Sequence, residues 1–219
     1  MAGRQRRFLD RVEAGGLLAE VVAGLVRPPV LVLGLPRGGV VVAAQVAARL
    51  GAPLDVVVPR KVGAPGNPEL AVGAVADGVQ ALDEPAIRRL GLDMAAVRAE
   101  AARQTAEVAR RTAAYREGQP PLELAGRTAV LVDDGVATGW TCAAAASYTR
   151  RAGASRVLVA VPVGPTGLED RLSPVVDQVV VLVTPDPYLN VGQVYERFPQ
   201  VDDDEVLRCL EQGRAPAKR

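Results

Sequence analysis

Short apolar runs rich in valine and leucine alternate along the chain with longer amphipathic or alanine-rich stretches. The runs lie at residues 28–36, 53–61, 130–132, 155–163 and 177–183. They are short, and prolines or other turn-forming residues flank most of them, so each predicts a buried strand. Strands that alternate with helices predict an α/β fold, with a doubly wound, mostly parallel sheet flanked by helices.

The longer stretches predict the helices that connect these strands. A first helix is expected over residues 4–26, interrupted near Gly15–Gly16, and the next is expected to end at Gly51. The longest helix has Asp93 as its predicted N-cap and Gly118 as its stop. Another helix is expected from about residue 139 to residue 151. After the last strand, the tail predicts an irregular segment followed by a short helix.

Two connections between the second strand and the longest helix contain turn signals. The sequence VGAPGNPEL, residues 62–70, crowds Gly, Pro and Asn together and therefore predicts a loop. The sequence AVGAVADGVQALD alternates apolar and polar residues around Asp77–Gly78, which predicts a β-hairpin.

The absence of histidine from the 219 residues narrows the possible chemistry more than any residue that is present. It excludes Ser-His-Asp and Cys-His catalysis and every histidine-ligated zinc site. The two cysteines, Cys142 and Cys209, are too few for a four-cysteine site, and we expect reduced thiols that pack within helices. A metal cofactor is therefore expected to be a hard cation held by oxygen, such as Mg²⁺.

Charge and hydropathy limit the partners. A formal net charge of +1 gives no electrostatic basis for binding nucleic acid or a membrane surface. The sequence has no apolar run of about eighteen residues, the length that would span a bilayer. Its N-terminus lacks the apolar segment of a signal peptide. These features favour a cytoplasmic protein whose partners are small molecules.

The chemistry is concentrated where strands end, which is where ligands bind in doubly wound sheets. Asp133 and Asp134 follow one strand, and the small residues of GVATGWT lead from them into a helix. The free amides of a helix start bind phosphate, while carboxylates accept hydrogen bonds from sugar hydroxyls. The segment therefore predicts a sugar-phosphate site, although a capped helix start after a polar strand end explains the same residues.

A second strand end carries the sequence GLPRGG, with Arg37, Gly38 and Gly39. An arginine beside two glycines suits a second phosphate group, whereas a tight turn with a solvated arginine is the simpler alternative. The chain has neither a Walker A pattern nor GxGxxG, so a P-loop nucleotidase or a dinucleotide-binding protein is not indicated.

The sequence VLVDDGVATGWT resembles the phosphoribosyl pyrophosphate (PRPP) binding motif of the type I phosphoribosyltransferases, and GLPRGG resembles their pyrophosphate loop. In that loop the peptide before the basic residue is typically cis, which here is the Pro36–Arg37 bond. The resemblance implies that an acid pair holds the ribose hydroxyls and, through ribose or water, Mg²⁺. By this resemblance Asp133 and Asp134 bind ribose, and Arg37, Gly38 and Gly39 bind pyrophosphate. The residues that bind the 5-phosphate are Gly135, Val136, Ala137, Thr138, Gly139 and Thr141.

The same resemblance assigns a mobile lid to residues 60–70, the lid segment. It implies that Arg60 and Lys61 meet the departing pyrophosphate and that Glu69 is the candidate general base. Their alternatives are a solvated basic pair after a strand and a surface charge that opens the next strand. The base-stacking aromatic of the family's hood corresponds to Tyr188. Ala137 stands where many purine-using members carry an aspartate.

The resemblance also implies a division of the chain. Residues 1–27 form a helix that belongs to the hood or a packing lobe, residues 28–183 form the PRPP-binding core, and residues 184–219 form the C-terminal hood segment and a short helix. The implied activity is transfer of phosphoribose to a nitrogenous, purine-like base, in a protein that could form a homodimer. The alternative is a non-catalytic regulator that binds PRPP or a nucleotide on the same fold.

Overall fold

The computed structural model describes residues 7–214, in which the strands and helices alternate as expected. The strands are β1 (Val30–Gly34), β2 (Leu54–Val56), β3 (Arg60–Ala64), β4 (Asn67–Ala76), β5 (Val79–Leu82), β6 (Thr128–Val132), β7 (Arg156–Val163) and β8 (Gln178–Val183). The helices are α1 (Arg11–Ala23), α2 (Gly38–Leu50), α3 (Glu84–Arg89), α4 (Met94–Tyr115), α5 (Trp140–Arg151), α6 (Leu168–Leu172) and α7 (Asp203–Arg214), with a 3-10 turn at Val191–Val194.

The larger sheet has five strands in the order β2-β1-β6-β7-β8, and every neighbouring pair is parallel. Alternate residues of these strands face opposite sides. Val32 and Val130 pack in one core cluster with residues of α1, α2 and α7. Leu33 and Leu131 pack in another with alanines of α5. Helices on both faces of a parallel sheet confirm the predicted doubly wound α/β fold.

The lid segment is a β-hairpin, so the predicted loop over residues 62–70 is wrong. β3 and β4 pair antiparallel, and Pro65–Gly66 makes the turn between Ala64 and Asn67. Gly66 has φ +79°, which glycine adopts at little cost. Residues 65–70 are exposed, so this stretch lacks the alternation of apolar and polar residues that reveals a half-buried strand.

The hairpin predicted around Asp77–Gly78 is confirmed. β4 and β5 pair antiparallel next to this turn, with Ala76 opposite Val79 and Gly78 at φ +71°. Together β3, β4 and β5 form a second, three-stranded sheet in that order.

The first helix differs from its prediction in both start and continuity. It begins at Arg11, where the Asp10 carboxylate accepts hydrogen bonds from the amides of Val12 and Glu13; residues 4–6 of the predicted range lie outside the described residues. It continues through Gly15 without interruption. A Cβ at Gly15 would lie 2.9 Å from the Val42 carbonyl oxygen, so this glycine allows α1 and α2 to pack closely.

The other helix signals hold. Asp93 caps α4 by accepting from the Ala95 amide, and α4 ends at Tyr115, three residues before the predicted stop at Gly118. Cys142 is a buried free thiol of α5, and Cys209 is a partly buried free thiol of α7. Among residues 7–214, no helix has the length and apolar character needed to cross a membrane.

Segments from the two ends of the described chain meet beside the end of β7. The Phe8 amide donates to the Val194 carbonyl at 2.7 Å, and the Glu196 amide donates to the Phe8 carbonyl at 2.8 Å. The rings of Phe8 and Tyr195 lie 5.7 Å apart, in a small cluster that includes Val163. We call this layer, residues 8–10 and 184–201, the terminal layer.

Candidate active site

The two predicted phosphate-binding segments follow β1 and β6, which are adjacent in the sheet. From β1 the chain crosses through α2 to β2 on one side, whereas from β6 it crosses through α5 to β7 on the other. The crevice between β1 and β6 is therefore the topological switch point, where doubly wound sheets bind ligands. The Leu35 amide donates to the Val132 carbonyl at 2.8 Å and joins the two strand ends.

The acid pair, Asp133 and Asp134, lies at this switch point and is half-buried. Asp133 Oδ1 accepts a hydrogen bond from the Asp134 amide at 2.8 Å. Desolvation and, second, the charge of Asp134 raise the pKa of the Asp133 carboxyl well above its usual range. The pair therefore favours a ligand that donates hydrogen bonds or brings positive charge.

The first turn of α2 contacts the acid pair through Gly38 and Gly39. A Cβ at Gly38 would overlap the Asp134 carboxylate, and one at Gly39 would lie 2.7 Å from the Asp133 Cα. The Pro36–Arg37 peptide that leads into this turn is cis, as the resemblance implied. The structure thus brings residues 37–39 and the acid pair together, and the glycines allow that proximity.

Arg11 forms an ion pair with Asp134, and the sequence interpretation did not single out this arginine. Its Nε donates to Asp134 Oδ2 at 2.7 Å, its Nη1 donates to the Pro199 carbonyl at 2.7 Å, and its guanidinium lies 3.8 Å from the Phe198 ring centroid. The Arg11 side chain is only 9% exposed. An arginine in the first turn of a helix is usually a surface residue, so no sequence signal pointed to this role.

A cavity of about 340 Å³ opens beside this ion pair. Arg11, Arg37 and Gly38 line one part of it, and residues 198–201 line the rest. Two guanidinium groups and the glycine backbone make this space suitable for an anion.

The amide loop, residues 135–141, connects the acid pair to α5. Gly139 has φ +86° and is the N-cap residue of α5, with no side-chain capping bond. Among the described residues, none accepts a hydrogen bond from the amides of Ala137, Thr138 or Gly139. Ala137 and Thr138 are exposed, so a ligand can reach these donors. Free amides at a helix start are suited to an anion, and phosphate binding by this loop stays a prediction.

The terminal layer covers the other side of the amide loop. A Cβ at Gly135 would lie 2.6 Å from Val163 Cγ1 and would also overlap Val191. The Tyr188 hydroxyl donates to the Val136 carbonyl at 2.7 Å. Tyr188 therefore lies at the candidate site, with its hydroxyl bound to the loop, and its base-stacking role stays a prediction.

The lid segment makes a separate arrangement. Lys61 Nζ lies 3.0 Å from Glu69 Oε2 across the hairpin, and the two side chains are 46% and 89% exposed. Arg60 Nε donates to Gln104 Oε1 of α4 at 3.0 Å. A groove of about 590 Å³ separates the hairpin from α4. Within residues 7–214, no hydrogen bond or ion pair joins Arg60, Lys61 or Glu69 to the acid pair.

The described residues contain no group of three or more acidic or cysteine side chains that could hold a metal ion by themselves. The acid pair supplies oxygen atoms, which are the ligands that Mg²⁺ prefers. These residues therefore fit a cation that a phosphorylated ligand also coordinates.

The fold and the position of the site define the class: a doubly wound α/β protein with its candidate site at the switch point. The sequence model of the phosphoribosyl transferase domain matches residues 8–185. The chain therefore belongs to the phosphoribosyl transferase family.

Relatives at high identity agree with this assignment. The chain is 48% identical over 207 residues to a protein of Mycobacterium tuberculosis provisionally named a phosphoribosyl transferase, covering 94% of this chain and 47% of the relative. It thus spans about half the length of the curated relatives it matches. The crystal structure of a Thermus thermophilus protein superimposes with a TM-score of 0.80 at 47% identity, covering 94% of this chain and 99% of that one.

A more distant structure shows the fold alone. It is a hypoxanthine-guanine phosphoribosyltransferase from Bacillus anthracis, with a TM-score of 0.50 at 10% identity, covering 91% of this chain and 98% of that one.

Proposed function

We propose that this protein transfers the phosphoribosyl group of PRPP to a nitrogenous base. The carbon–oxygen bond at carbon 1 of PRPP breaks, and its electron pair leaves with pyrophosphate. A carbon–nitrogen bond forms from the lone pair of the base, whose proton passes to a general base. The contact of Gly38 and Gly39 with the acid pair supports this proposal best, because it combines a pyrophosphate loop and a ribose site in one crevice.

In this proposal each part of the crevice binds one part of PRPP. Asp133 and Asp134 accept hydrogen bonds from the ribose hydroxyls, and the amide loop binds the 5-phosphate. Arg37 and the amides of Gly38 and Gly39 bind pyrophosphate. The raised pKa of the Asp133 carboxyl is consistent with this assignment, because hydroxyl donors offset the repulsion from Asp134 that helps to raise it.

Mg²⁺ is proposed to enter with PRPP and to face the oxygens of Asp133 and Asp134. When bound, it would offset the negative charge of the leaving pyrophosphate. The chain's own cations act alongside it: Arg37 lines the cavity beside the pyrophosphate loop, and Lys61 is exposed on the lid segment.

The lid segment is proposed to close over the crevice. Lys61 would stabilise the departing pyrophosphate, Glu69 would take the proton of the base, and Arg60 would support the charge from the start of the hairpin. Lys61 and Glu69 pair with each other in the observed hairpin, so closure would have to separate them. Their exposure makes that separation inexpensive, since exposed ion pairs contribute about 0–1 kcal/mol.

A purine-like acceptor is the first class to test. The proposal places the base beside Tyr188, whose ring packs in the terminal layer next to the amide loop. An aromatic ring at this position would stack on a flat heterocycle.

The test is a screen of purine and related bases with PRPP and Mg²⁺, in which pyrophosphate release is followed. We expect release with at least one base, and its loss in the Asp133→Asn/Asp134→Asn double variant. PRPP binding without release for any base would instead identify a non-catalytic regulator. Absence of both binding and release would contradict the proposed function.

A further inference from the structure

Three side chains from outside the amide loop donate hydrogen bonds to carbonyl oxygens of alternate residues in and beside that loop. The bonds run from Tyr195 Oη to the Asp134 carbonyl at 2.6 Å, from Tyr188 Oη to the Val136 carbonyl at 2.7 Å, and from Arg171 Nη1 to the Thr138 carbonyl at 2.9 Å. Two donors come from the terminal layer and the third from α6. The regular spacing means that each bond fixes one peptide plane in turn.

Each bond also fixes the direction of an amide. In a planar trans peptide, the carbonyl of one residue and the N–H of the next point in opposite directions. Binding the carbonyls of residues 134, 136 and 138 therefore turns the amides of Gly135, Ala137 and Gly139 away from the three donors.

The amides of the loop fall into two sets that agree with this geometry. The Asp134 amide donates to Asp133 Oδ1 at 2.8 Å, and the Val136 amide donates to the Val163 carbonyl at 2.9 Å. The amides of Gly135, Ala137 and Gly139 have no acceptor among residues 7–214. Every amide in a peptide with a bound carbonyl therefore lacks a protein acceptor, and the Thr138 amide lacks one as well.

We propose that Tyr195, Tyr188 and Arg171 are positioning residues, here called the carbonyl clamp, that aim the amides of the loop at the 5-phosphate. This inference rests on the proposed function. The clamp also holds carbonyl oxygens away from the phosphate, which they would repel.

The two tyrosine donors of the clamp persist across the physiological pH range. Burial and the charges of Asp134 and Asp133 raise the pKa of Tyr188 to about 12. Burial, followed by the charge of Asp134, raises the pKa of Tyr195 above its usual range. The third donor, Arg171, contributes a guanidinium, whose N–H groups only donate hydrogen bonds. The amides are therefore oriented before any ligand arrives, and binding does not have to order them.

The clamp gives the terminal layer a function in phosphate binding. Tyr188 and Tyr195 contact the loop through their hydroxyls, so their rings can pack in the terminal layer while their oxygen atoms hold the loop. Because Tyr188 Oη is bound in this way, its removal should affect the 5-phosphate site even without a base.

The experiment titrates ribose 5-phosphate, without metal or base, into the wild type, Tyr188→Phe and Arg171→Gln. Loss of one hydrogen bond should weaken binding by about threefold to tenfold. Arg171→Lys should restore most of the affinity, because an ammonium can still reach the carbonyl. Tyr148→Phe and Arg151→Gln are the matched controls: Tyr148 lines a cavity with Asp77, and Arg151 donates to the Gly78 carbonyl, both outside the loop.

A second measurement needs no ligand. Residual dipolar couplings report the directions of the Ala137 and Gly139 N–H bonds in each variant. We expect Tyr188→Phe to reorient the Ala137 amide and Arg171→Gln to reorient the Gly139 amide, with both controls unchanged. Because Arg171 is exposed, its variant should fold even if Tyr188→Phe does not.

The two measurements separate the clamp from the proposed function. Unchanged amide directions in both clamp variants would overturn the clamp, and so would unchanged affinity when the wild type binds ribose 5-phosphate. A wild type that does not bind ribose 5-phosphate would contradict the proposed function. In that case reoriented amides would still support the clamp as a device that orders the loop.

Discussion

Two regions of the candidate site are built differently. The first is the acid pair together with the amide loop, and the second is the lid segment. The first is held by distant parts of the chain: Arg11 from α1, Gly39 from α2 and Tyr195 from the terminal layer all contact it. In the second, two strands pair with each other; Val62 and Ala64 of β3 pack in the core beside α4, while residues 65–70 are exposed and Glu69 pairs with Lys61. One region is organised before a ligand arrives, whereas the exposed part of the other, residues 65–70, can change its contacts at little cost.

This difference follows from what each region is proposed to do. Binding a charged ligand requires donors and acceptors whose directions are already fixed, which takes contacts from several elements. A lid must open and close, so strong contacts in one state would slow it. The free energy of binding is therefore expected to reside in the first region, and the rate of the chemical step to depend on the second.

The largest expected effect is on binding. Replacing Asp133 and Asp134 together by Asn should weaken Mg²⁺-PRPP binding by about 3 kcal/mol or more, the scale of two charge-assisted hydrogen bonds. Isothermal titration calorimetry measures this change. The control is the Glu100→Gln/Glu107→Gln double variant of α4, which should bind Mg²⁺-PRPP as tightly as the wild type. Equal affinity of wild type and double variant would remove the acid pair from the site.

The lid should affect turnover rather than binding. Replacing Lys61 or Glu69 by Ala should lower kcat about a hundredfold, near 2.7 kcal/mol, because these groups act mainly in the transition state. The PRPP dissociation constant should change little. Single-turnover pyrophosphate release beside direct PRPP binding measures both quantities. Arg103→Ala, in the same groove, is the control, and unaffected rates in both lid variants would refute their catalytic roles.

Two glycines distinguish the regions by packing. Gly39→Ala forces a methyl group against the main chain of Asp133. It should lower the free energy of unfolding by about 1–3 kcal/mol and also weaken PRPP binding. The added methyl group of Gly66→Ala meets no neighbour, but φ is positive at this position. The variant should therefore lose about 1–2 kcal/mol of unfolding free energy and keep its PRPP affinity. Urea denaturation and calorimetry measure the two effects. A Gly66→Ala variant with lower PRPP affinity would contradict the separation.

The smallest effect concerns pH. The pKa of Asp133 is raised on folding, so ionisation of its carboxyl costs the folded state free energy as pH rises above the unfolded value of about 4. Asp133→Asn removes that cost. Relative to wild type, the stability of the variant should therefore increase between about pH 4 and pH 7. Urea denaturation across this range tests it, and a variant whose stability relative to wild type does not change with pH would contradict the prediction.

The sequence predicted what depends on local pattern. Valine-rich runs such as residues 28–36 predicted the parallel strands, and the small residues after Asp134 predicted a helix start with free amides. Asp93 and Gly51 gave the ends of their helices because capping depends on single residues. The lid segment was predicted as a loop rather than a hairpin because residues 65–70 are all exposed. They therefore lack the alternation of apolar and polar residues that indicates a strand.

Contacts between distant residues could not be predicted in this way. Arg11 and Asp134 are 123 positions apart, and the packing of α1 against α2 and the sheet brings them together. Tyr188 was expected near the site as an aromatic ring, but the bond from its hydroxyl to the Val136 carbonyl depends on the path of the terminal layer. Gly15 looked like a helix breaker because the helix that packs against it is not visible in the sequence.

A crystal of the wild type soaked with ribose 5-phosphate tests the central claim most directly, because it locates the ligand rather than measuring its strength. We expect the phosphate within hydrogen-bond distance of the Ala137 and Gly139 amides, and the ribose hydroxyls against Asp133 and Asp134. Ribose 5-phosphate bound elsewhere, with the amide loop empty at saturating concentration, would contradict the claim.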